Sequence, residues 1–378
     1  MITEAATPPA RPVRLISLDV LRGLAVIGMI LANATDGVKE GFHAQVFSQL
    51  LHERWEGLHL ADTVFPAFLM MVGVSVPLAL GKIKASGAVD AGVLSKVIWR
   101  AIRLVALGFI LVNIDYFANF ATNTWRLFGV LQRTGLVYGA CGLLFLTCGP
   151  KTRLGIAAGL LIFYWPLALL PQLDAGPSDI WVRGHNFIGS VDRVWLGDGH
   201  HNYVKGPEGY DPEGLLGTLP AIAHGLIGVA VGEFISRNRG PSAAGRLAIA
   251  GLVMLLVGIG WGFVFPVIKD IWSSSFVLVT CGLTTLVLAS LHFVLDRGKA
   301  PHWAALFPMA FGINAIVAYV LDELWYQLPT WSLFGLPYFG LRGWIYEPIA
   351  ALIPVILFIL FIWMCVEYLR RQNWIVKI

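Results

Sequence analysis

The stretch from Asn33 to Asp62, NATDGVKEGFHAQVFSQLLHERWEGLHLAD, gathers the residue types that proton transfer needs. His52 lies within LLHERWEGL, between apolar and charged neighbours. A histidine at such a boundary can take or release a proton near neutral pH. An asparagine such as Asn33 can donate a hydrogen bond to a developing oxyanion. The plainer reading of His43, His52 and His59 is a loop histidine bonded to backbone, and residue type alone leaves both open.

Other candidates sit inside apolar runs. Asp19 and Arg22 are three apart and can pair on one helix face. Arg133, in FGVLQRTGL, falls roughly 9 Å into its helix at 1.5 Å per residue. Charges in such places normally face a bundle interior or a wet cavity, as functional groups or as ion pairs that fix packing. In GYDPEGLLGTLPAI, Asp211 and Glu213 stand at a helix mouth, where they can cap it or form an anionic rim for a cationic or hydroxyl-rich ligand. Asn314, in FGINAIVAY, needs partners if buried and can line a cavity or bond a neighbouring helix. The adjacent His200 and His201 behind Asp198 lack metal-ligand spacing, as do the four cysteines, so no metal is expected. No G-x-S-x-G, phosphate-binding or dinucleotide fingerprint is present.

The elements that must position these residues are membrane helices. Hydrophobic residues make up 57% of the 378 and charged ones only 13%, against roughly 25% in soluble domains. That is too thin a charged coat for a soluble protein, and the mean hydropathy is +0.72. Windows of about 20 apolar residues fall at roughly 15–35, 61–81, 94–113, 127–148, 152–171, 213–235, 244–265, 272–296, 304–325 and 345–370, the ninth interrupted at Gly312 and Asn314. The expected fold is all-α: one domain over 1–378, a polytopic bundle of about ten transmembrane helices, with block 14–81 carrying the loop that leaves the first helix at Asn33 and enters the second at Asp62. With the N-terminus in the cytoplasm, seventeen Lys and Arg lie on that side and eight outside, which satisfies the positive-inside rule with both termini cytoplasmic. The longer outer loops, about 36–60, 172–212 and 326–344, then carry the chemistry. MITEAATPPARPVR lacks the order of a cleavable signal, so the first helix is expected to act as its own insertion signal. The basic residues form no stripe for nucleic acid.

At these same stretches the chain resembles the heparan-α-glucosaminide N-acetyltransferase family. The likeness runs through RLISLDVLRGLAVIGMILAN, HERWEGLHLADTVFPAFLMMVGVS, WRLFGVLQRTGLVY, DRVWLGDGH and YDPEGLLGTLPAI, and more weakly FPVIKDIWSSSFVLVT and FGINAI. It implies an acyltransferase that takes acetyl from cytoplasmic acetyl-CoA to an amino sugar across the membrane, with the chain corresponding to the ten-helix core. The family's active-site histidine corresponds to His52 and its asparagine to Asn33, nineteen residues apart here, a longer gap than in the lysosomal enzyme. On that resemblance Asp62 orients His52; Asp211, Glu213, Arg133 and Asn314 contact substrate; and Arg22, Lys96, Arg100, Arg103 and Arg239 are the cations for the nucleotide end of acetyl-CoA. Direct transfer and an acetyl-His52 intermediate both remain open. The expected setting is a bacterial inner membrane with the catalytic loop facing the periplasm. Acetyl-CoA, an amino-sugar acceptor, the lipid bilayer and optionally a second copy in a homodimer are the expected partners. The alternative is a transporter or channel for a sugar or cell-envelope fragment, against which stands the lack of a paired repeat of broken helices.

Overall fold

The computed structural model describes residues 15–122, 124–197, 203–238, 242–296, 302–326 and 331–376. In chain order its helices are α1 (Ile16–Phe42), α2 (Leu60–Ala85), α3 (Ala91–Val112), α4 (Ile114–Ala118), α5 (Val130–Thr147), α6 (Pro150–Ala168), α7 (Phe187–Leu196) and α8 (Thr218–Arg237). They continue as α9 (Ser242–Gly262), α10 (Ser274–Leu295), α11 (His302–Ile313), α12 (Ala315–Tyr326), α13 (Trp331–Phe334), α14 (Leu336–Leu341) and α15 (Glu347–Arg371). Among the described residues the only β pairing is two isolated bridges, Glu56 with Ile268 and Val204 with Tyr210. This is the polytopic helical bundle that the composition predicts.

All ten apolar windows are helical. Seven helices, α1, α2, α5, α8, α9, α10 and α15, are long and apolar enough to cross a membrane. The ninth window is broken where Asn314 interrupts it: α11 and α12 meet there at a bend of 80°, as a broken span or a re-entrant loop. Neither α3, which carries Lys96, Arg100 and Arg103, nor α6 is among the seven. The first helix also differs from expectation. It runs on past residue 35 to Phe42, because Thr35, Gly37 and Val38 remain buried, and it ends at His43 in the left-handed region, φ 53. Asn33 is therefore a helix residue rather than the start of a loop.

Small residues set the closest helix crossings. A Cβ at Gly73 of α2 would overlap the carbonyl of Gly225 on α8, and one at Gly312 of α11 would overlap the Asp19 carbonyl on α1. Such contacts let backbones pack where lipid offers no hydrophobic drive. At one end of the bundle Ser17, opening α1, donates to Asp296, which follows α10. At that same end Lys84 of α2 donates to the Phe145 carbonyl in the last turn of α5 and to the Cys148 carbonyl just after it, and Arg153 of α6 pairs with Glu233 of α8 at 2.6 Å. The opposite end gathers the finish of α1 and the starts of α2, α5, α8 and α10. There a second apolar cluster, including Trp55, Tyr164, Ile180, Tyr210, Phe265 and Ile268, ties three connecting segments together. That cap holds the site.

Candidate active site

Asp62 is the third residue of α2, where its carboxylate can take the helix's unpaired N–H groups. Its Oδ2 accepts from the backbone N–H of His59 and of Glu53, both at 3.0 Å. Its Oδ1 lies 2.9 Å from His52 Nδ1 and 3.4 Å from Lys269 Nζ. The Asp62 side chain is fully buried and that of Lys269 is 13% exposed, while that of His52 is 45% exposed. A carboxylate only accepts, so it places the proton of neutral His52 on Nδ1 and leaves the Nε2 lone pair facing outward. That is the geometry of a general base or nucleophile held in one tautomer. The loop that carries His52 is pinned from three directions: the Gly57 N–H donates to Val267 at 2.9 Å, Trp55 Nε1 donates to Ile180 at 3.0 Å, and the Trp55 ring meets Tyr210. His59 is a structural residue, its ring nitrogens set against the Leu51 carbonyl and Glu53.

Asn33 donates from Nδ2 to Asp322 Oδ2 of α12 at 2.8 Å. Asn33 is partly exposed and Asp322 is buried. Asp322 and Lys269 were not singled out in the sequence. A carboxylate inside the 304–325 apolar window was the available signal for the first; nothing local marked the second.

The free anionic rim expected of Asp211 and Glu213 is not present. Both carboxylates are buried and grip Arg126, whose Nε and Nη2 reach the Asp211 oxygens at 2.7 and 2.8 Å while Nη2 also bonds Glu213. Nor does either cap α8, whose N-cap is Gly217. Asn113 clamps the Arg126 backbone through both its N–H and its carbonyl, so the guanidinium is presented rigidly. Close by, Asp192 of α7 accepts the N–H groups of Asp211 and Leu215. Burial pushes the Asp192 carboxyl up to about 7, against the pull of those N–H groups.

Arg133 is almost wholly buried. Its guanidinium lies 4.9 Å from the centre of the Trp272 ring, and Nη2 donates to the Gly214 carbonyl at 3.2 Å. Its Nε and Nη1 have no hydrogen-bond partner among the described residues. Trp272 adopts φ 54, costly for a bulky residue, and packs edge-on to Phe65, one turn beyond Asp62. Two aromatic rings, Trp272 and Phe65, thus lie between Arg133 and the turn of α2 that carries Asp62.

Asn314 is fully buried and its side-chain amide is engaged within the chain. Its Nδ2 donates to the Trp374 carbonyl and its Oδ1 accepts from the Val376 N–H, both at 3.2 Å, so its amide fastens the segment after α15. Among the described residues, the cations expected for a nucleotide sit on two helices, Arg22 on α1 and the other three on α3. Arg22 donates to Ser75 at 2.7 Å and lies 3.6 Å from Asp19. Lys96 and Arg103 are exposed on α3, and Arg100 stacks over Tyr138. Arg239, with Asp198, His200 and His201, lies outside the described residues.

Fold and site together define a class: a polytopic helical membrane protein with a histidine held by a buried carboxylate at one mouth of the bundle. The chain belongs to the family described as heparan-alpha-glucosaminide N-acetyltransferase, catalytic, whose model matches residues 14–261. It is 29% identical over 371 residues to the human heparan-alpha-glucosaminide N-acetyltransferase, covering 83% of this chain and 53% of that protein. The mouse protein of the same name is 27% identical over 369 residues, covering 82% and 53%. The chain thus spans about half the length of these curated relatives.

Proposed function

We propose that this protein is a transmembrane acetyltransferase that moves acetyl from cytoplasmic acetyl-CoA to the amine of an amino sugar on the periplasmic side of a bacterial inner membrane. The observation that carries the reading is His52 held through Nδ1 by buried Asp62, at the mouth of a bundle whose family is named for N-acetyl transfer.

The acceptor amine attacks the thioester carbonyl carbon, and His52 Nε2 takes the amine proton. Asn33 donates to the oxyanion of the tetrahedral intermediate. Collapse breaks the carbon–sulfur bond, and the leaving thiolate recovers the proton from His52. Asp62 holds the imidazole and supports its charge, while Lys269 completes the neutralisation of Asp62. The two unpartnered nitrogens of Arg133 suit a substrate carbonyl, and Arg126, locked by Asp211 and Glu213, shapes the mouth. At the far end Lys96, Arg100 and Arg103, together with Arg22, favour the donor's phosphates.

The test is direct. Purified protein incubated with labelled acetyl-CoA and a panel of amino sugars should label one of them, and His52→Ala should abolish that label while retaining CoA binding. Normal turnover by His52→Ala would overturn the assignment. Acetyl label that stays on the protein without acceptor, and disappears in His52→Ala, would select an acetyl-His52 intermediate over direct transfer. A transport reading draws on the bent α11–α12 pair, since broken helices line many translocation sites. Solute uptake into sealed vesicles without acetyl-CoA is the result that would favour it.

A further inference from the structure

The bond between Asn33 and Asp322 joins α1 to α12 across 289 residues of sequence. We infer that Asp322 is a positioning residue for Asn33: by accepting one amide N–H it turns the Asn33 side chain so that the second N–H is presented to the reacting acyl oxygen. The inference rests on the acyl-transfer reading above.

A primary amide has two faces of opposite character, two N–H donors on one side and an acceptor oxygen on the other. Only the donor side can stabilise an oxyanion. A free amide can rotate and present either. Asp322 Oδ2 accepts from Asn33 Nδ2, so it holds the amide nitrogen toward itself and turns the Asn33 oxygen away. The geminal N–H is then left over, on a partly exposed side chain, while Asp322 itself is buried. Asp322 sits within an apolar helix, where a carboxylate is costly and normally earns retention through function. Its neighbour Glu323 does not compete for Asn33, being hydrogen-bonded to Tyr319 one turn earlier. The 80° bend at Asn314 sets the direction of α12, and so lets a residue far along the chain meet the exit half of α1.

The test is a double-mutant cycle in the purified full chain, with acetyl-CoA and the amino sugar that accepts label as probes. Asn33→Ala is expected to lower kcat by about 100-fold, the usual effect of removing one oxyanion donor. Asp322→Asn, which allows the Asn33 amide to flip, is expected to lower kcat about tenfold or more with KM for acetyl-CoA within about twofold. In the Asn33→Ala background Asp322→Asn should change kcat by less than about twofold, because there is no amide left to orient. Asp322→Glu, which still only accepts, should recover most of the loss. Losses that multiply in the double variant, or wild-type kcat in Asp322→Asn, would overturn the inference while leaving the function intact. Wild-type kcat in Asn33→Ala would instead overturn the role of Asn33, and this inference with it. If Asp322→Asn does not yield folded protein, the same cycle run with Asp322→Leu decides, since it removes the acceptor without adding a donor and its effect on kcat must also vanish without Asn33.

Discussion

Replacing Asp62 by Asn separates the two tasks of that carboxylate. Asp62 binds four donors: His52, Lys269 and the N–H groups of Glu53 and His59. The amide can still accept through one oxygen, but its NH2 group meets donors where an oxygen stood. Lys269, largely buried, loses its counter-charge, and removing one partner of a buried pair costs about 3–5 kcal/mol. That is an upper figure here, because the ammonium retains some contact with solvent. His52 loses the acceptor that selects its Nδ1–H tautomer, and loss of that control in a comparable triad lowers kcat about 10⁴-fold. Asp62→Asn should therefore melt earlier in detergent and lose at least about 100-fold in acetyl transfer, equivalent to about 2.7 kcal/mol of barrier. The companion variant Asp62→Asn with Lys269→Met removes the orphaned ammonium. It should recover most of the thermal stability and none of the activity. The measurements are thermal unfolding and label transfer on the same preparations. Full activity in Asp62→Asn, or recovery of activity along with stability in the double variant, would refute the reasoning.

Other outcomes follow from the same contacts. Burial holds the Asp192 carboxyl at about 7, above its ordinary 3.8. A raised carboxyl binds its proton more tightly when folded, so its contribution falls as pH rises from about 4 to 7, by at most about 1.4 kcal/mol per unit. Melting curves across that range should show this slope, and Asp192→Asn should flatten it. Arg126→Met strands Asp211 and Glu213 as buried charges and should cost about 3–5 kcal/mol, whereas Arg126→Lys, lacking the two-pronged grip, should fall in between; equal melting of all three proteins would contradict the cluster's role. Asn314→Ala should free residues 374–376, seen as faster amide exchange at Val376 with little change in transfer.

Much of the fold was local information. Each apolar window spans about 20 consecutive residues, and a helix satisfies its own backbone within that stretch, so the ten helical segments and the interruption near Asn314 were legible without tertiary contacts. His52 and Asn33 stood out as residue types suited to proton transfer, and the family resemblance added Asp62 as the partner of His52, which lies only ten residues from it. The reach of α1 to Phe42 was not, because Asp36, Lys39 and Glu40 read as a loop until the burial of Thr35 and Val38 is known. The anionic rim failed for a related reason. Asp211 and Glu213 are acidic in sequence but neutralised in space, and Arg126 lies 85 residues from the first of them.

What the sequence determined by itself is therefore the solvent and the helices, which rest on composition and on runs of apolar residues, while the pairing of His52 with Asp62 came from the family resemblance. Tertiary structure alone decided which charges are left free. It brought Lys269 to Asp62, Asp322 to Asn33 and Arg126 to its two carboxylates, and it left two Arg133 nitrogens unpaired among the described residues. The physical reason is that an ion pair or hydrogen bond depends on distance in space, and in a bundle that distance is set by which helices cross, through contacts as specific as Gly73 on Gly225 and Gly312 on Asp19.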